Sequence, residues 1–237
     1  MPNIQQIAVP SIIMRGAPTP EASATNELIL GETVEILGEA ENGCHKVRAT
    51  HDSYQGYLPA KILKPETPVT HKVTALLSHA YSHPDFKSHP IIPLFKSAQI
   101  AIGSKVENGF TELKGGGWVF EKHIHPLDHI EKDYTETALK FLHTPYLWGG
   151  RTAHGLDCAG LVQIALNAAG IDSPRDSMQQ INAIGQAIEH KNPQRGDFIF
   201  FEGHVGIMLD ESKILNATAR HMQVVIEDLD DVEKGYS

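Results

Sequence analysis

A chain of 237 residues with 41% hydrophobic content is long enough for one large domain or two or three small ones, and it buries an ordinary core. Its formal net charge of -9, with no clustered run of Lys and Arg, argues against nucleic acid or a membrane surface as partner, because phosphate-rich surfaces are met by concentrated positive charge. Two cysteines, Cys44 and Cys158, are too few for a disulfide framework and match no C-x-x-C metal spacing, so no disulfide, metal or other cofactor is expected.

The N-terminal stretch MPNIQQIAVPSIIMRGAP has no basic n-region, and Pro10 and Ser11 interrupt its apolar residues, so it does not read as a signal peptide. No run approaches the roughly 18 apolar residues needed to cross a bilayer. A cytoplasmic monomer is the default expectation.

Short strands come first. LILGETVEILGEAENGCHKVRAT alternates apolar and polar positions between glycine breaks and shows no helical period. Gly56-Tyr57-Leu58 recurs about sixty residues on as Gly117-Trp118-Val119, the mark of an internal repeat of two small barrels. The proline-containing stretch from Lys64 to Val69 separates them, which places modules at 1–65 and 66–128 and a third region at 129–237.

Helical periodicity begins at about Asp133 in DYTETALKFLHT, with a polar start around Thr135 and an apolar stripe of Ala138, Leu139 and Leu142. A second helix opens near Cys158, carries Leu161, Val162, Ile164, Ala165, Leu166 and Ala168, and is capped by Gly170. A loop with Pro174, a short helix near SMQQINAIG and a meander of three or four antiparallel strands complete an α+β order.

The chemistry concentrates around PYLWGGRTAHGLDCAG. A cysteine beside a helix is ordinarily small core filler. Cys158 differs in lying in a first turn, where unpaired N–H groups would hold a thiolate and lower the thiol pKa. Gly149, Gly150 and Gly155 would let backbone approach a ligand closely, and Asp157 precedes the sulfur. His204, in EGHVGIM, points opposite to Val205 and can act as proton acceptor and donor. Asn216, among apolar neighbours in KILNATA, is either the acceptor that orients the imidazole or a turn-facing residue at a strand end. His123, His125 and His129 read as loop histidines, since a lone H-x-H is weak metal spacing.

Together these residues resemble the NlpC/P60 family of cell-wall cysteine peptidases. The motifs are Tyr146-Leu147-Trp148-Gly149-Gly150, Asp157-Cys158-Ala159-Gly160 and Gly203-His204-Val205-Gly206-Ile207, in the family's order, over residues 130 to 237. The resemblance implies a papain-like α+β catalytic domain, preceded by two small SH3-like β-barrels. It makes Cys158 the nucleophile, His204 the general base and acid, and Asn216 the third member where the family commonly has histidine. The N–H of Cys158 and the hydroxyl of Tyr146 would face the oxyanion. Ala159 stands where serine is frequent, which removes one hydroxyl contact to substrate.

The arrangement is similar to the γ-D-glutamyl-L-diamino acid endopeptidases, which implies a murein-derived peptide, L-Ala-γ-D-Glu-diamino acid, as partner. In that group Asp176 would pair with the free amine of L-Ala, and Arg175 and Ser177 would hold substrate carboxylates. Asp157 would also face substrate, Trp148 would pack beneath the site, Tyr54 would wall it, and Tyr57 would sit in a barrel core. The competing expectations are a wall- or peptide-binding protein with a degenerate peptidase domain, a lytic peptidase acting on intact wall, and an amidase or thioesterase using the same residues.

Overall fold

A computed structural model of the chain describes residues 2–39, 41–188 and 192–236, and it divides into two compact units, Met1–His129 and Ile130–Ser237. The first unit uses one strand plan twice. β1 (Ile4–Ile7), β2 (Ser11–Arg15), β3 (Ala24–Ile29), β4 (Thr33–Ile36), β5 (Cys44–Ala49), β6 (Gln55–Pro59) and β7 (Leu63–Pro65) form an antiparallel sheet ordered β3-β2-β6-β5-β4-β1-β7.

The next eight strands are β8 (His71–Val73), β9 (Leu77–Tyr81), β10 (Pro90–Phe95), β11 (Gln99–Ile100), β12 (Ile102–Glu107), β13 (Phe110–Leu113), β14 (Trp118–Phe120) and β15 (Ile124–Pro126). They repeat that order as β10-β9-β14-β13-β12 and β11-β8-β15, the counterpart of β4 being broken into β11 and β12 at Ala101. In both copies the strand carrying Tyr57-Leu58 or Trp118-Val119 runs into a 3-10 turn, Ala60–Ile62 or Glu121–His123, and then into the last strand.

The core of the first copy is Ile7, Met14, Leu28, Val34, Val47, Ala49, Leu58 and Ile62, where each large side chain removed from water contributes about 1.5–3 kcal/mol. Gly56 is required by this packing: a Cβ there would lie 2.4 Å from Met14 Cγ. Tyr54 packs against the cluster. Tyr57, expected inside, is only half-buried, because strand alternation gives the inward positions to its neighbours Gly56 and Leu58.

The second unit places helices before a meander. α1 (Tyr134–Leu139) starts at Asp133, whose side chain accepts from the N–H groups of Thr135 and Glu136. Its buried face is Thr135, Thr137 and Ala138, not the expected leucine stripe; Leu139 and Leu142 are half-buried. The hairpin of β16 (Arg151–Thr152) and β17 (Gly155–Leu156) leads into α2 (Cys158–Ala168). Ten of the eleven residues of α2 are buried, so it is a central helix with no solvent face. After α3 (Ser177–Ala183), the strands β18 (Phe198–Phe201), β19 (His204–Met208), β20 (Lys213–Thr218) and β21 (Gln223–Asp228) pair antiparallel in sequence order. The described part closes with α4 (Leu229–Tyr236), which the sequence reading did not anticipate. Among the described residues no helix is long and apolar enough to cross a membrane.

Candidate active site

The elbow that presents Cys158 is built around the carboxylate of Asp157. As N-cap of α2, its Oδ1 accepts from Gly160 N–H at 2.8 Å, and its Oδ2 accepts from Gly149 N–H at 2.8 Å. Arg175 adds a bidentate pair, Nη1 to Oδ1 at 2.9 Å and Nη2 to Oδ2 at 2.7 Å, with Nη2 also donating to Gly150 O. Both side chains are almost fully buried.

The glycines serve this packing rather than a ligand. A Cβ on Gly160 would come within 2.3 Å of Gly150 O, and one on Gly150 within 2.4 Å of Gly155 O. The expected close approach is therefore of backbone to backbone. It clamps the loop onto the first turn of α2.

Across from the elbow, alternation along β19 and β20 turns His204 and Asn216 to one face of the sheet. His204 Nε2 lies 3.1 Å from Asn216 Oδ1, and both residues are buried. An amide oxygen only accepts, so Nε2 carries the ring proton and Nδ1 is left as the base. Gly206, two residues on, makes room for this line: a Cβ there would stand 3.2 Å from Asn216 Cβ and 2.5 Å from Ile214 Cδ1. The backbone N–H groups of Val205 and Ala159 lie beside the Cys158 sulfur and work to lower its pKa. Two ring contacts fix the imidazole plane. Tyr236, from α4, stacks on it at 4.7 Å, and Phe201 stacks on Tyr236 at 5.1 Å.

The electrostatics correct one expectation. Burial, reinforced by the Asp157 charge, pushes the Cys158 thiol up to about 11 against the two N–H donors, and burial pushes His204 down to about 4 despite Asn216. The resting site thus holds a neutral thiol and a neutral imidazole. The helix start does not outweigh desolvation of a residue 6% exposed. Both shifts favour the fold while the groups are neutral. The His204 contribution is complete above 6.5 and is lost as pH falls through about 4; the Cys158 contribution is complete below 9.0 and is lost as pH rises through about 11. In a Cys44→Ser protein, alkylation of Cys158 by iodoacetamide should climb from about pH 6 to pH 10 without a plateau near neutrality. A rate already at its maximum at neutral pH would show a stored thiolate.

The other expected site residues divide. Tyr146 is half-buried near Cys158 and Asp157: burial first, and then these two groups, raise its hydroxyl, so it stays protonated. Asp157 and Arg175 do not present free groups to substrate, since their charged atoms pair with each other, and Arg175 is 2% exposed. Asp176 and Ser177 are half-buried at the start of α3. That segment is anchored by Gln180, whose Nε2 donates to Ala159 O at 3.0 Å and Pro174 O at 2.9 Å, a residue with no motif to mark it. Trp148 does not pack beneath the site; it is 62% exposed. Tyr54 lies in the first unit, against its barrel core. Cys44 and Cys158 are both free thiols, and among the described residues no group of three or more His, Cys, Asp or Glu could hold a metal.

Known proteins share this architecture. Residues 143–235 match the model of the NlpC/P60 family, and residues 14–63 match that of the bacterial dipeptidyl-peptidase SH3 domain. The chain is 26% identical over 240 residues to dipeptidyl-peptidase 6 of Lysinibacillus sphaericus, covering 90% of this chain and 87% of that protein. It is 35% identical over 125 residues to a gamma-D-glutamyl-L-lysine dipeptidyl-peptidase of Bacillus subtilis (strain 168), covering 47% of this chain and 42% of that one. The crystal structure of an NlpC/P60 family protein from Bacillus cereus matches with a TM-score of 0.80 at 20% identity, over 96% of this chain and 94% of that chain, which establishes the shared fold. The chain thus carries an NlpC/P60 domain at residues 143–235, with a bacterial dipeptidyl-peptidase SH3 domain at residues 14–63 ahead of it.

Proposed function

We propose that this protein is a cysteine peptidase that hydrolyses the γ-D-glutamyl–diamino acid bond of murein stem peptides bearing a free N-terminal L-Ala, in the recycling of wall peptides. The observation that carries the reading is a buried Cys158 at the start of α2, with the N–H of Val205, the residue after His204, beside its sulfur, and a buried His204–Asn216 line. The names of the Lysinibacillus and Bacillus relatives support the substrate class.

Cys158 Sγ attacks the γ-carbonyl carbon of D-Glu while its proton passes to His204 Nδ1. The oxyanion faces the Cys158 N–H at the start of α2 and the Tyr146 hydroxyl. The diamino acid leaves with the proton from Nδ1. Water then cleaves the thioester, His204 again accepting a proton, and the thiol is restored.

Asp176 is the residue proposed to read the free amine. It follows the buried Arg175 and sits at the start of α3, which Gln180 ties to the first turn of α2. Acetylating the L-Ala amine should lower kcat/KM about 100-fold, the effect of leaving a charged hydrogen-bonding group without its partner. Asp176→Asn should lose a similar factor on the free peptide and little on the acetylated one. Mass-spectrometric comparison of free, acetylated and muramyl-linked peptides reads all of these. Equal rates on intact wall would identify a lytic peptidase instead.

A further inference from the structure

The hydrogen-bond line through the site does not end at Asn216. Asn216 Nδ2 donates to Glu227 Oε2 at 3.0 Å, while Glu227 Oε1 accepts from Arg220 Nη2 at 2.8 Å and pairs with His221 Nε2 at 3.1 Å. The placement follows from strand register. Asn216 faces Val225 across the β20–β21 pair, and Glu227 faces Ile214, so Glu227 is the diagonal neighbour of Asn216 on the same face. Its side chain is 13% exposed.

We propose that Glu227 is a positioning residue of the reaction: by accepting from Asn216 Nδ2, it fixes which end of the amide faces His204, and so keeps Nδ1 of the imidazole free to take the thiol proton. The proposal rests on the peptidase reading of the Cys158 site. An amide is nearly symmetric in shape, and a half-turn about its last bond exchanges oxygen for nitrogen. Turned round, Asn216 would donate to Nε2, the ring proton would move to Nδ1, and the base would be lost. Asn216 is fully buried, so its orientation is set by protein groups. A carboxylate has no proton to give. It accepts from Nδ2 and thereby sends Oδ1 to His204.

The charged groups around the imidazole are consistent with this role: Glu227 works to raise its basicity and Arg220 to lower it, while Tyr236 of α4 covers one ring face. Arg220 pairs with Glu227 and donates to Asp231 O, and its guanidinium lies over the Tyr236 ring, 5.6 Å from the ring centre.

Glutamine at this position gives a test with an unusual ordering. Arg220 and His221 would claim the single amide oxygen of a glutamine, turning its NH2 toward Asn216 and reversing the Asn216 amide. Glu227→Gln is therefore expected to be worse than Glu227→Ala, with kcat lowered about 100-fold against about 10-fold and KM little changed. In an Asn216→Ala protein, adding Glu227→Ala should cost much less than it does in the unaltered protein, since most of the effect passes through Asn216. Iodoacetamide alkylation of Cys158 in the Cys44→Ser background needs no peptide and should follow the same order, with unchanged thermal melting for Glu227→Gln. A structural or purely charge-based role would make Gln no worse than Ala, or make the double variant additive, and either result overturns the proposal. If the unaltered protein leaves the peptide intact while the alkylation order holds, the substrate reading fails and the role of Glu227 stands.

Discussion

Replacing Cys158 with alanine is expected to abolish hydrolysis of L-Ala-γ-D-Glu-diaminopimelate, by a factor on the order of 10⁴ or more, with the fold preserved. The substitution removes one atom from a residue 6% exposed and leaves the Asp157–Arg175–Gly149–Gly160 network untouched, because no bond of that network uses the sulfur. The Val205 and Ala159 N–H groups lose an acceptor, a cost of about 1–2 kcal/mol that melting curves would register without unfolding the protein. Cys158→Ser should be equally inactive, since a hydroxyl gives up its proton less readily than a thiol to a His204 base already weakened by burial. Turnover surviving in the alanine variant would sink the nucleophile assignment. An unaltered protein that binds the peptide without cleaving it would favour the wall- or peptide-binding alternative.

What could be read from the residue order, and what could not, follows from where the physics lies. α2 was legible because an apolar run, interrupted only by Gln163 and Asn167 and ending at Gly170, whose φ is +74°, spells a buried helix and its left-handed stop. The side-chain period of two likewise sets His204 opposite to Val205, whereas for Asn216 the residue order leaves a turn-facing place at a strand end equally open, and only its pairing within the sheet settles it. The depth of the sulfur was not legible. Helix position alone argues for a low thiol pKa, while the surrounding burial that raises it comes from distant segments.

Arg175 was misread for a related reason: a charged residue in a loop ordinarily faces water, and only the buried carboxylate of Asp157 turns it inward. α4 escaped notice because LDDVEKGY buries one residue, Val232, and its contribution to the site is the ring of Tyr236. Glu227 escaped because its partner is set by diagonal register across β20 and β21, which no local pattern reveals.

Arg175→Ala is expected to destabilise the protein by about 3–5 kcal/mol and to reduce kcat sharply, because it leaves the buried Asp157 carboxylate without its counter-ion. The loss reaches the chemistry directly. Asp157 raises the thiol pKa and Arg175 lowers it, so the unpaired carboxylate should shift alkylation of Cys158 to still higher pH. Lysine should rescue poorly, since one ammonium cannot reproduce two parallel contacts at 2.9 and 2.7 Å plus a third to Gly150 O. Removing both charges, as in Asp157→Asn with Arg175→Ala, should cost less than the Arg175 change alone, because no buried charge then remains unpaired. Urea denaturation and steady-state kinetics on the same variants distinguish this from the substrate-binding role expected at first. A residue that reads a substrate carboxylate would raise KM on removal and leave stability unchanged, whereas the ion pair beneath the elbow predicts the reverse.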